Sequence, residues 1–349
     1  MSIGTVVVGP GLIGKKHIEL VHANDNTHLA AIVAPDHLIN HQIAAKNNVP
    51  IFFDLASCSA AIKVDAVIVS SPNPFHYEQA RYCIENKLPV LIEKPVTPGL
   101  HEARELAHLV KAHGARALVG HHRAYSPLLA AAQQVIASGQ LGRLVSVVGS
   151  AQFYKPAQYF LDGPWRTQPG GGPILINLIH EIGNLRALMG EIATVQALAS
   201  SAVRQFAVED TVAINFGFAS GALGTFVLSD AAATPMSWEQ TTQENPAYPT
   251  YGDVDCYTVS GTQGCLNFPT LRLRYFPQGT EASWWQHFHE EQLSVQRDDP
   301  LRAQLAHFVD VIQGWATPLV PVLDGYRNLL VTEAIRQAIL SGQTVQLGE

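Results

Sequence analysis

Three separated stretches of this chain carry residues able to move a proton or hold an anion. The first is Glu93-Lys94-Pro95, which follows the apolar run Val90–Ile92. Ligands of open parallel sheets gather beyond the carboxyl ends of the strands, so Lys94 falls where a bound molecule would lie. A lysine partly desolvated beside a cationic ring has a lowered pKa and can take the proton of a hydroxyl; otherwise a lysine at a strand end is a surface cation. The second stretch is Pro173–Met189, read as a helix entered through Gly170-Gly171-Gly172-Pro173. Asn177, His180, Glu181 and Asn184 fall on it at i, i+3, i+4 and i+7, one polar stripe on an apolar helix. A solvent-facing stripe is rich in Lys and Glu, whereas two amides, a histidine and one acid suit a polar cavity. His180 is then a candidate general base, the alternative being a core histidine satisfied by a backbone carbonyl.

The third stretch is Gly9-Pro10-Gly11-Leu12-Ile13-Gly14, between the strand Val6-Val7-Val8 and a helix. G-x-G-x-x-G in that setting is a dinucleotide-binding turn. The first glycine makes the tight turn, the second admits the pyrophosphate to the backbone, and the third lets helix and strand pack. Unpaired N–H groups at the helix start then meet the phosphates. The acid that holds the adenosine ribose lies about 20 residues on, at the end of the second strand. That end is Val33-Ala34-Pro35-Asp36, with no arginine beside it. Asp36 would repel a 2′-phosphate, which favours NAD over NADP; the alternative is a solvated loop carboxylate.

The elements that must position these groups follow from periodicity. Short apolar strands at Thr5–Val8, Leu29–Val33, Val64–Ser70, Pro89–Ile92 and Ala115–Gly120 alternate with helical stretches at Gly14–His22, Leu38–Asn47, Tyr77–Asn86 and Leu100–His113. This is the pattern of an α/β, doubly wound parallel sheet covered on both faces, a Rossmann domain expected over residues 1–122. From 123 to 349 the pattern changes to an α+β domain with a large, mostly antiparallel open sheet. Its strands are expected at Leu144–Tyr154, Ile192–Ser200, Thr211–Phe218, Ala222–Ser229, Tyr257–Ser260 and Leu271–Phe276, with helices at Pro127–Ser138, Leu301–Gln313 and Tyr326–Leu340. The stretch Ala231–Asp253 has no clear period; its Trp238, Tyr248 and Tyr251 would cover a cyclic substrate or cement a subunit interface.

Composition narrows the function class. The chain has 349 residues, 47% hydrophobic and 15% charged, with a formal net charge of −7. Its length suits two domains. Nothing gathers the 22 Lys+Arg into a patch, so neither nucleic acid nor an anionic membrane is an expected partner. Cys58, Cys83, Cys256 and Cys265 show no C-x-x-C spacing and read as buried thiols. No metal site is expected. No run reaches the ~18 apolar residues of a membrane span, and the cytoplasm is the expected compartment.

Together these residues resemble the glucose–fructose oxidoreductase/inositol dehydrogenase (Gfo/Idh/MocA) family over nearly the whole chain. The likeness rests on the Gly9–Gly14 turn, Ser71-Pro72-Asn73 with His76, Glu93-Lys94-Pro95, and Trp165-Arg166 before the Gly170–Gly172 run. His180 and Asp324-Gly325 complete it. The resemblance implies an NAD(P)-dependent oxidoreductase acting on a secondary alcohol or ketone of a cyclic polyol, sugar or cis-dihydrodiol. Lys94 and His180 would be catalytic, meeting at the nicotinamide, with Asn177 the nearest polar neighbour of the histidine. Ser71, Pro72, Asn73, His76 and Glu93 would border the nicotinamide and its ribose, and Arg123, Trp165 and Arg166 would lie near substrate or cofactor. A homodimer or homotetramer would form through the open sheet. One departure stands out. Sugar and inositol dehydrogenases of the family commonly carry Asp four residues before and three after the histidine, where this chain has Ile176 and Gly183. The sequence around His180, with Ser237-Trp238-Glu239 and Ser283-Trp284-Trp285, looks like a branch that includes aromatic cis-dihydrodiol dehydrogenases of phthalate-type catabolism. The rival from another class is a non-catalytic nucleotide-sensing regulatory protein on the same fold.

Overall fold

The apolar runs of the first third become β1 (Ile3–Val8), β2 (Thr27–Val33), β3 (Ile51–Phe52), β4 (Ala66–Val69), β5 (Val90–Ile92) and β6 (Ala117–Val119) in the computed structural model, which describes residues 2–348. Every residue of β1, β4, β5 and β6 is buried, which is why these strands read as unbroken apolar segments. All six pair in parallel, in the order β3-β2-β1-β4-β5-β6. The order reverses between β1 and β4, and a reversal opens a crevice at the carboxyl ends of those two strands. Two elements here were not expected. β3 has only two residues, too few to show a period, and the helix Leu55–Ala61 is announced only by its cap, Asp54, which accepts from Ser57 N at 2.7 Å.

Contacts gather the residues through His122 with Leu301–Leu329 into one compact unit. The second domain, expected to run unbroken over 123–349, is therefore interrupted. The reason is burial: Leu305, Phe308, Val309 and Val311 of the helix Pro300–Gln313 belong to the same apolar cluster as Ile32, Ile68 and Leu118. Each such side chain removed from water contributes about 1.5–3 kcal/mol.

The other unit comprises Arg123–Pro300 and residues 330–348. Its strands are β7 (Leu144–Gln152), β8 (Ile192–Ser200), β9 (Thr211–Phe218), β10 (Leu223–Ser229), β11 (Tyr257–Gly261), β12 (Gly264–Phe268), β13 (Arg272–Tyr275), β14 (His289–Gln292) and β15 (Val345–Gln346). They form one nine-stranded sheet, β14-β13-β12-β11-β7-β10-β9-β8-β15. The sheet is mostly antiparallel, except that β10 returns alongside β7 in parallel. β12, β14 and β15 were not expected. β14 is His-Glu-Glu-Gln with no fully buried residue, so it carries no apolar signal. One face of the sheet packs Val147, Ile214, Phe226 and Tyr257 against Ile182, Leu185 and Leu188 of the helix Ile179–Met189. The open face carries Val148, Leu198 and Leu223, all exposed.

The segment 231–253 is built into this core. It contains the short helix Trp238–Thr241, and Trp238 is 4% exposed, stacked on Phe268 with ring centroids 5.0 Å apart. The Arg123 guanidinium stands 5.2 Å from the Trp238 ring and donates to Glu181 Oε1 and to Glu239 Oε1, each at 2.5 Å. Both roles expected for Trp238, substrate cover and subunit cement, need an exposed ring and give way to a packing role. Tyr248 and Tyr251 are the exposed aromatics of the segment. Further along, Ser126 Oγ donates to Glu244 Oε1 at 2.5 Å, while Glu244 Oε2 is buried without a hydrogen bond among the described residues.

Two stability measurements check this account. Trp238→Ala is expected to lower the urea unfolding free energy by about 3–5 kcal/mol, whereas Trp284→Ala, at an 88% exposed position, shifts it by less than about 0.5 kcal/mol. Burial pushes the Glu244 carboxyl up to about 7 against its Ser126 hydrogen bond. A folded-state value raised above the unfolded one contributes stability that is complete below the unfolded value and lost as pH rises through the folded one. The contribution of Glu244 to the unfolding free energy should therefore fall by about 2 kcal/mol between pH 5 and 8, and Glu244→Gln should reduce the measured decline over that range by about the same amount.

Candidate active site

In the first unit, β1 ends at Val8 and the helix Leu12–Ala23 begins four residues later. Gly9 has φ +80°, and a Cβ on it would stand 2.5 Å from Ser71 Cα, so both conformation and space demand glycine. A Cβ on Gly14 would strike the Gly9 carbonyl oxygen and lie 2.8 Å from Ser70 Oγ. Gly11 is different. Its φ is −71°, open to any residue, and a Cβ there would meet nothing within 4 Å. The protein's own packing gives no reason for glycine at position 11, whereas a group bound against its backbone would. The helix behind it has no side-chain cap and no acid in its first turn, with Leu12 exposed and Ile13 half-buried. N–H groups at such an end are available to an anion.

The neighbouring strand ends bring the other expected residues of this unit together, though several take other roles. Ser70 Oγ donates to the carbonyls of Val8 at 2.8 Å and Gly9 at 2.9 Å, tying β4 to the turn. Ser71 Oγ donates to Gln79 Oε1 at 2.6 Å, and Pro72 is exposed. Asn73 Oδ1 is buried and has no partner among the described residues, an acceptor that suits a ligand donor. His76, expected beside the nicotinamide, is instead a strut. It is 2% exposed, with Nδ1 2.9 Å from Pro95 O and Nε2 2.8 Å from Ser71 O, joining the loops after β4 and β5.

Glu93 also lies behind the surface rather than on it. Its Oε1 meets His17 Nε2 at 2.7 Å, its Oε2 accepts from Lys94 N at 3.2 Å, and a Cβ on Gly120 would stand 2.8 Å from it. Burial opposes its charge, but the hydrogen bond and charge of His17, with His122 and Lys94 nearby, hold the carboxyl below its usual range. Glu93 therefore braces the half-buried Lys94. His17, on the buried side of the first helix, was not singled out from sequence; its place three residues beyond Gly14 was the available signal. Asp36 stands in the exposed loop after β2, its Oδ1 2.7 Å from His41 Nε2.

In the second unit the histidine helix opens with a π-helical turn, Ile174–Leu178, before the α-helix Ile179–Met189. That wider turn breaks the even spacing read from the sequence, and the expected single stripe divides. Glu181 and Asn184 face the core, where Arg123 and Tyr257 Oη donate to Glu181, and Asn184 Nδ2 lies 3.2 Å from Tyr257 Oη. Arg123 is 2% exposed, with both terminal nitrogens spent on carboxylates, so it holds the helix rather than a cofactor. His180 is 7% exposed in the first α-turn, and Asn177 accepts a hydrogen bond from Lys155 Nζ at 2.7 Å.

The glycine run is explained by its neighbours. A Cβ on Gly171 would lie 2.6 Å from Trp165 O, and Gly172, at φ +80°, sits under Glu209, whose Oε1 accepts from Ile174 N at 3.0 Å. Arg166 is clasped by Tyr159, donating to its carbonyl with the guanidinium 4.0 Å from its ring, while Trp165 is exposed. A cavity of about 380 Å³ beside Gly170, Gly171, Glu209 and Arg336 includes neither Asn177 nor His180. Lys155 and Glu209 were missed because each acts through residues distant in sequence.

The residues of the first unit fit a dinucleotide. The open backbone at Gly11, the uncapped helix start and the buried Asn73 oxygen each have the chemistry that would hold such a ligand.

Comparison with known proteins agrees with this geometry. Residues 3–121 match the model of an oxidoreductase family with an NAD-binding Rossmann fold, and residues 129–267 match that of the GFO/IDH/MocA C-terminal domain. The chain is 26% identical over 299 residues to the scyllo-inositol 2-dehydrogenase (NAD(+)) of Bacillus subtilis, covering 81% of this chain and 78% of that protein. It is 28% identical over 289 residues to the 1,5-anhydro-D-fructose reductase of Ensifer adhaerens, covering 81% and 80%. An oxidoreductase from Agrobacterium radiobacter, solved with NAD+, L-tartaric acid and magnesium, shares the fold with a TM-score of 0.83 at 17% identity, over 100% of this chain and 99% of that one. The six-stranded parallel sheet with its glycine turn and the nine-stranded mixed sheet with its histidine helix thus have one common source: the chain belongs to the Gfo/Idh/MocA family of oxidoreductases.

Proposed function

We propose that this protein is an NAD-linked dehydrogenase that oxidises a secondary alcohol on a cyclic polyol, sugar or cis-dihydrodiol, or runs the reverse reduction. The observation that carries the reading is Gly11, a glycine that the protein's own packing does not require and that a group bound against its backbone would. Preference for NAD rests on Asp36, exposed after β2, and on the lack of any arginine between Val33 and Pro50 to receive a 2′-phosphate. The Bacillus relative, whose name specifies NAD(+), supports the same choice.

A nicotinamide, when bound, supplies a ring carbon that accepts the hydride in one direction and returns it in the other. The chain's own residues handle the proton. Lys94 takes the hydroxyl proton as the carbonyl forms, or returns it in reduction, and a charged ammonium steadies the alkoxide between. His180 shares that proton, and Asn177 holds a substrate oxygen. Glu93, fixed by His17, keeps the backbone of Lys94 in place. We further propose that the protein is cytoplasmic and a homodimer or homotetramer through the open face of the nine-stranded sheet, where Val148, Leu198 and Leu223 are exposed.

Lys94→Ala is expected to lower kcat by about 10²–10⁴-fold in an assay following NADH absorbance over a panel of cyclic polyols, sugars and cis-dihydrodiols. NADH affinity, read by fluorescence titration, should stay within about twofold of wild type, since the turn that holds the phosphates is untouched. Full turnover in that variant would end the assignment.

A further inference from the structure

The connection from β8 to β9 brings Glu209 to the wall of a cavity that the candidate active site does not use. The cavity measures about 380 Å³, and every residue lining it belongs to the second unit. Sites for small molecules span about 300–1,000 Å³ and are mostly apolar, with a few polar groups that set orientation. Here the apolar part comes from Ile174 and Leu175 of the π-helical turn, Phe206 and Val208 of the β8–β9 connection, and Ile339 and Leu340 of the helix Val322–Ser341. Phe206 is seated on Phe160, with ring centroids 4.9 Å apart. Leu340 is 78% exposed, an apolar side chain left in water beside an apolar hollow.

Charge gives the cavity its chemical preference. Glu209 Oε1 accepts from Ile174 N at 3.0 Å, and glycine at position 172 leaves that oxygen its room, since a Cβ there would stand 2.7 Å from it. The carboxylate has no ion pair among the described residues. Burial pushes it above its usual range, the Ile174 N–H draws it back only in part, and of the groups acting on it Arg336 acts least. Arg336 is the cation of the lining, and it is exposed, with its Nε donating to Glu333 Oε2 at 3.0 Å. An organic anion would therefore meet two carboxylates beside one guanidinium that an acid already engages. A cation would meet a half-buried carboxylate with no counter-charge of its own, which is the stronger pairing.

We propose that this cavity binds an organic ammonium, a primary amine on an apolar body, with the amine paired to Glu209 and the body laid against Ile174, Phe206 and Ile339. The site is distinct from the dehydrogenase reading and does not depend on it, since neither Asn177 nor His180 lines the cavity. Glu209 would hold the ligand's ammonium while it holds the N–H of Ile174, so the occupant is tied to the turn that leads into the helix Ile179–Met189.

The test titrates three probes of one shape, 2-phenylethylamine, 2-phenylethanol and 3-phenylpropanoate, calorimetrically into the full-length protein at neutral pH without cofactor. The amine should bind at least about tenfold more tightly than the alcohol, and the acid most weakly. Glu209→Gln removes the charge but keeps an oxygen for the Ile174 N–H, and it should abolish the preference for the amine without moving the unfolding midpoint. Hydrogen exchange on the wild-type protein locates the probe: saturating amine should slow exchange in residues 170–178 and 336–340. An amine that binds no better than the alcohol overturns the site. So does a preference that survives Glu209→Gln, or protection that appears only outside those two segments.

Discussion

Between the carboxyl ends of β1 and β4, backbone approaches backbone so closely that only glycine fits. Gly9 lies against Ser70 and Ser71, where any side chain would collide, and Ser70 Oγ fastens the join through the carbonyls of Val8 and Gly9. The rest of the first unit's site follows from that clamp. It turns the chain into a helix whose start is left uncapped, and it sets Gly14 against Gly9, so the helix leans on the strand that precedes it. Because β5 pairs with β4, Lys94 emerges at the same edge of the sheet. Glu93 is confined by His17 on one side and by the space left at Gly120 on the other, and an anion confined in this way fixes the residue after it.

The second unit solves a similar problem with charge instead of close approach. Arg123 is buried with carboxylates at both of its terminal nitrogens, one from the histidine helix and one from the 231–253 segment. Removing the guanidinium would leave both acids without a counter-charge, and a broken buried pair of this kind costs about 3–5 kcal/mol. Tyr257 of β11 completes the arrangement on Glu181, so sheet, helix and segment are registered through one acidic side chain.

Much of this was legible before any coordinates. The glycine turn and the alternation of strands and helices are local signals, and local signals survive in a sequence. What was illegible depends on partners far along the chain. His76 and Arg123 have the types expected of ligand-binding residues, yet the carbonyls of Ser71 and Pro95 occupy the first, and the carboxylates of Glu181 and Glu239 occupy the second. Trp238 lay in a stretch without a period and was read as a surface ring, because nothing nearby announces Phe268 as its stacking partner. The even polar spacing along Pro173–Met189 misled for a different reason: the π-helical turn at Ile174–Leu178 changes the phase, and a period of 3.6 residues does not hold through it. Lys155 escaped notice since its only local features are aromatic neighbours.

The central claim is that the space over Gly11 belongs to a dinucleotide. It is tested most directly by replacing that glycine with valine and titrating NADH, since the backbone there tolerates a side chain and no protein atom stands in its way. The account requires an unchanged unfolding midpoint together with NADH affinity reduced at least about tenfold. Wild-type affinity in Gly11→Val would contradict it.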